Sequence, residues 1–158
     1  MNRREAIKVT LLGGAVAMLG QGGILAKEYY PEQVDEQLFQ GINRVKNPGQ
    51  EKGLELVHSP VITAPDEVNS GGVFQVDVAI GKSPHPMGPK HWIEHLQLNV
   101  GNEPAGNVIF RSRGLVKAAA RFNVQLDDGF KGKTVSLIVQ VKCNLHGIWE
   151  NYFNVKVI

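Results

Sequence analysis

From Leu54 onward, apolar and polar positions alternate with a period of two. Val73-Phe74-Gln75-Val76-Asp77-Val78-Ala79-Ile80 is the cleanest case, with Gly71-Gly72 before it and Gly81 after it. His91 to Val100, Asn107 to Arg111, Val116 to Gln125, Thr134 to Lys142 and Tyr152 to Val157 read the same way. Turn-forming residues separate them: Gly101-Asn102-Glu103-Pro104, Ser112-Arg113-Gly114, Asp127-Asp128-Gly129 and Lys131-Gly132. No segment after residue 54 carries a convincing helical period. Short alternating strands at this spacing predict an all-β fold, an immunoglobulin-like antiparallel β-sandwich of about seven strands.

The pattern fails upstream of Leu54. Asn2-Arg3-Arg4-Glu5-Ala6-Ile7-Lys8 carries paired arginines, Val9 to Leu25 is apolar and Gly-rich, and Ile24-Leu25-Ala26 offers small-residue cleavage. This is the order of a twin-arginine export signal over residues 1–26, leading to the periplasm. Ala6 stands where a bulkier apolar residue is commoner. Five glycines make the stretch a poor membrane span. Lys27 to Gln50 is polar and contains Pro31 and Pro48, so residues 27–53 read as an extended arm, with one helical turn around Val34 to Gln40. Residues 54–158 form the remaining domain.

Charge adds one exclusion. The chain of 158 residues has a formal net charge of +2. Arg3, Arg4, Lys8 and Glu5 lie in the leader, so the rest is close to neutral, and no basic patch argues for nucleic acid.

The candidate chemistry sits at predicted strand ends. Cys143, the single cysteine, is followed by His146 and Gly147. A lone thiol cannot form an internal disulfide, and in an oxidising compartment metal ligation would protect it. His85 lies between Pro84 and Pro86, and His91 follows six residues later. Prolines cannot donate to a central ladder, so His85 belongs to a loop and His91 to the start of the next strand. Thiolate and imidazoles together suit a transition metal such as iron, copper or zinc.

Three segments taken together are more specific. His58-x-Pro-Val-Ile, His85-Pro-Met-x-x-x-His91 and Cys143-Asn-Leu-His146-Gly-Ile-Trp-Glu resemble the iron domain of the superoxide reductases, the neelaredoxin and desulfoferrodoxin family. The resemblance covers about Leu54 to Ile158. It implies one iron per chain, cycling between Fe(2+) and Fe(3+). His58, His85, His91 and His146 would be equatorial ligands and Cys143 an axial thiolate, leaving the opposite position open to superoxide. One electron and two protons then give hydrogen peroxide. The family's Glu-Lys pair before the first histidine is replaced by Leu56-Val57. Glu55 is one residue too early, and Lys90, with Lys82 as second choice, is the expected substitute for the missing cation. His95 is expected on the sheet surface, and Trp92 and Trp149 as shielding aromatics. Amides near Leu145 or His146 could hydrogen-bond the cysteine sulfur.

With one cysteine there is no rubredoxin-like four-cysteine domain, so the electron must come from an external donor, a rubredoxin-like or other periplasmic redox protein. The resemblance also implies a homo-oligomer, a dimer or tetramer. The competing reading is a cupredoxin-like copper electron-transfer protein. Blue-copper sites use two histidines, one cysteine and a late weak axial ligand; here four histidines qualify and no Met follows Cys143. A third reading is a structural sandwich with a lost site, or a sulfur carrier using Cys143 as a free thiol.

Overall fold

The computed structural model describes residues 34–111 and 114–158. The expected export signal and residues 27–33 lie outside the described residues. After a 3-10 turn at Glu36–Phe39 come β1 (Ile42–Asn43), α1 (Leu54–His58), β2 (Pro60–Thr63), β3 (Glu67–Val68), β4 (Val73–Ile80), β5 (Ile93–Val100) and β6 (Glu103–Ile109). β7 (Ala119–Gln125), a 3-10 turn at Asp128–Phe130, β8 (Thr134–Cys143) and β9 (Gly147–Val157) complete the chain.

The strands form two sheets. The larger runs β1-β9-β8-β5-β6, with β3 also on β9, and the smaller runs β2-β4-β7. The long pairings are antiparallel, while β1 and β3, two residues each, lie parallel to β9 at its two ends. The all-β expectation holds, with two parallel contacts that alternation cannot announce. The short helix α1 was not expected. Its five residues are too few to display a period, and His58 ends it.

Alternation becomes core in the expected way. In β4, Phe74, Val76, Val78 and Ile80 face inward, and in β8 Val135, Leu137, Val139 and Val141 do so. Fully burying side chains of this size contributes about 1.5–3 kcal/mol each. Cys143 continues the inward period of β8 and is fully buried. Pro104 lies inside β6, beside a register shift at Leu98/Asn99, and β6 is the edge of its sheet, where a missing N–H is tolerated.

The ladders bring the candidate ligands together from far apart. Pro60 pairs with Ile80, so the segment ending in His58 lies beside the turn that leads to His85. Ile93 pairs with Cys143, which sets His91 near the sulfur. Cys143 pairs with Gly147, closing a three-residue turn that contains His146. Gly81, with φ +77°, makes the sharp exit from β4, and a Cβ there would strike the carbonyls of Ser83 and Val57. Gly81→Ala is therefore expected to lower stability by about 2 kcal/mol or more, since left-handed backbone alone costs roughly 1–2 kcal/mol. A denaturant midpoint unchanged from wild type would contradict this.

Candidate metal centre

Four imidazoles form a ring. Neighbouring centroids are 4.6 Å apart for His58–His85 and His85–His91, 4.8 Å for His91–His146 and 4.7 Å for His146–His58. Adjacent rings stand at 71–80° to one another, while His58 and His91, across the ring, are 5.9 Å apart and tilted by 30°. Ligating atoms of His58, His85, His91 and Cys143 all lie within 4.8 Å of one another. His146 Nδ1 is 3.0 Å from His58 Nε2, 3.2 Å from His91 Nε2 and 3.5 Å from Cys143 Sγ. His91 Nε2 is 3.1 Å from the same sulfur. The structure thus brings all five predicted donors together.

These separations fit a single metal ion. With a metal–imidazole bond of about 2.1 Å and a metal–thiolate bond of about 2.3 Å, square-planar neighbours are about 3.0 Å apart and a perpendicular sulfur about 3.1 Å from each. The tautomers agree. His58 Nδ1 donates to Leu54 O at 2.9 Å and His85 Nδ1 to Pro86 O at 2.6 Å, so each ring turns an Nε2 lone pair inward. His85 Nε2 is buried without any hydrogen-bond partner, a costly arrangement unless it ligates. Four nitrogens and one sulfur exceed the tetrahedral set of a structural zinc and do not match a blue-copper set.

Burial sets the protonation states. It pulls His58 down from 6.5 to about 4, with the neighbouring His146 and His91 adding repulsion. Burial likewise pulls His85 down to about 3, with His58 and His91 pushing the same way. Both rings are neutral near pH 7, as ligands must be. Burial pushes the Cys143 thiol up to about 11, against the pull of hydrogen bonds from the Leu145 and His146 amides, the donors expected from the sequence. A bound cation would favour the thiolate.

Residues around the donors fix their orientation. Trp149 stacks on His58, with centroids 5.2 Å apart and planes at 25°, and its Nε1–H donates to His146 O at 2.8 Å. Asn144 clasps the chain on both sides of His91. Its Nδ2 donates to Lys90 O at 2.8 Å, its Oδ1 accepts from Trp92 N at 2.9 Å, and its own N–H donates to Trp92 O at 3.2 Å. Met87 Sδ accepts the Ile93 N–H at 3.5 Å, tying the His85 loop to the start of β5. The Asn144 clasp went unread in the sequence, because nothing local reveals that the Cys143 turn faces residues 90–92.

The remaining predicted residues stay outside the ring. Lys82 is paired with Glu51 at 2.7 Å, and this contact, with backbone donors, holds the Glu51 carboxyl down at about 2. Glu55 accepts from the Lys46 N–H at 3.3 Å, and among the described residues no carboxylate joins the donor group. Lys90 is exposed and forms no ion pair among the described residues. His95 pairs with Ile109 and Lys142 after a register shift at Ile93/His95, which takes it away from His91.

Two outcomes are expected. Asn144→Ala removes the clasp on His91 and lowers metal affinity by about 10- to 100-fold, measured by chelator competition; an unchanged affinity would remove Asn144 from the centre's support. Without metal, stability falls as pH drops below 6.5, because the unfolded chain takes up protons that folded His58 and His85 refuse down to about 4 and 3. The slope is about 1.4 kcal/mol per pH unit for each histidine, absent above pH 7. Denaturant midpoints of the metal-free protein across pH 7.5 to 4.5 measure it.

Comparison with known proteins agrees with this geometry. The desulfoferrodoxin family model matches residues 47–152. The chain is 32% identical over 110 residues to a protein of Methanocaldococcus jannaschii, covering 70% of this chain and 89% of that one. It is 34% identical over 101 residues to the superoxide reductase of Pyrococcus abyssi, covering 60% and 83%. The solved superoxide reductase (neelaredoxin) of Ignicoccus hospitalis superposes with a TM-score of 0.62 at 27% identity, covering 80% of this chain and all of that one. The chain belongs to the desulfoferrodoxin family.

Proposed function

We propose that this chain is a superoxide reductase that carries one iron on His58, His85, His91, His146 and Cys143. The observation that carries the reading is the ring of four imidazoles with a buried sulfur at 3.1–3.5 Å from two of its nitrogens. Ferrous iron held there would supply the one electron that, with two protons, turns superoxide into hydrogen peroxide. The chain's own groups prepare that step. Neutral imidazoles hold the metal without loading it with negative charge. The Cys143 sulfur would donate electron density to that iron, and the Leu145 and His146 amides that hydrogen-bond it would moderate the donation. Leu56 and Val57 offer no carboxylate or ammonium, so any steering cation must come from elsewhere. Lys82 is held by Glu51, which leaves exposed Lys90, one residue before His91, as the steering charge. Four imidazoles around one sulfur disfavour the cupredoxin alternative.

The chain holds a single cysteine, so a separate donor restores the ferrous state. The paired arginines and apolar stretch at the N-terminus support export to the periplasm, where that donor would be a small redox protein. The two facing sheets support an immunoglobulin-like sandwich, and the family supports assembly as a homo-oligomer.

Stopped-flow mixing of the reduced iron protein with superoxide tests the activity. One superoxide consumed per iron, with hydrogen peroxide formed and no dioxygen released, is expected; evolution of dioxygen would replace reduction by dismutation. Lys90→Ala should slow the bimolecular step by roughly 2- to 10-fold at low ionic strength and flatten its salt dependence. An unaltered salt slope would discard Lys90.

A further inference from the structure

The arm that precedes the family-matched region lies directly on the turn carrying His146. The match begins at residue 47, and residues 34–46 stand before it. Asp35 N–H donates to Leu145 O at 3.0 Å. The Leu38 carbonyl rests against Gly147, whose φ of +71° and missing Cβ allow the approach. Asn43 Nδ2 fastens the arm, donating to Leu38 O at 2.9 Å and to Ile148 O at 2.8 Å. β1 then pairs with Ile148 and Trp149.

One of these contacts leads to the sulfur. The Leu145 carbonyl and the His146 N–H belong to the same peptide group, and that N–H donates to Cys143 Sγ. A peptide that accepts at its oxygen is polarised and donates more strongly at its nitrogen. We propose that the Asp35 amide, acting through the Leu145–His146 peptide, is a positioning group that strengthens the hydrogen bond to the Cys143 thiolate and so raises the reduction potential of the iron. The inference rests on the iron reading above. Its sign follows from charge. A donor at sulfur withdraws density from the metal, which stabilises ferric iron less. Weakening the relay therefore lowers the potential and moves the thiolate-to-iron absorption band to longer wavelength. An arm that only covered the turn would change stability and metal retention without moving either.

Asp35 allows the amide to be isolated. Its φ of −83° lies close to that of proline, so Asp35→Pro deletes the N–H in place. Asp35→Ala keeps the N–H and loses only the side-chain cap on the Gln37 N–H, 3.2 Å away. In the iron-loaded full chain, Asp35→Pro should show a lower potential and a longer-wavelength band than Asp35→Ala, which should match wild type. Asn43→Ala, which unfastens the arm, should shift both in the same direction by less. Coincidence of the Pro and Ala variants overturns the relay. If Asp35→Pro does not fold, Asn43→Ala decides: a wild-type band and potential overturn the relay. Absence of any such band from the oxidised wild-type protein would overturn the iron reading and the relay with it, whereas a band that stays put across the variants overturns the relay alone.

Discussion

Two backbone pairings at the ends of two sheets hold the centre together. Pro60 against Ile80 sets the chain from His58 beside the chain to His85, and Ile93 against Cys143 sets His91 beside the sulfur. The first pairing belongs to the small sheet and the second to the large one. The donors therefore meet only when the sheets face each other. Trp149 reinforces that meeting by stacking from β9 onto His58 of α1, and the Asn151 side chain donates to Pro60 O at 2.9 Å.

Such a meeting is unfavourable without a cation. Four imidazoles crowd together with their centroids under 5 Å from their neighbours, and the buried His85 Nε2 has no hydrogen-bond partner. Protonation would provide donors, but burial and the neighbouring rings resist it at His58 and His85. A bound metal relieves all of these costs at once, so metal affinity and folding stability are two aspects of one free energy here.

Much of this was legible in the residues because sheets write their period into the chain. The alternation marks β4 at its observed limits and β8 within one residue, since each buries one face. Cys143 reads from the sequence as a donor just beyond this strand, whereas β8 includes it and buries it in the same period, and the three ligand segments carry the family resemblance. The rest depends on contacts between distant segments. β1 and β3 are two residues long and exist because β9 offers a free edge. β9 starts at Gly147, five residues earlier than its alternation becomes plain at Tyr152. Asn144 and Asp35 are ordinary polar residues until the ladders set them beside His91 and Leu145.

Met87 carries a consequence of its own. It lies between two donor-bearing positions, His85 and His91, and only 7% of its surface is exposed. Hydrogen peroxide, the product of the proposed reaction, is the reagent that converts thioethers to polar sulfoxides. Burial and the Ile93 amide contact limit access to this sulfur, and the loop that delivers two of the five donors is thereby shielded from the waste of its own turnover.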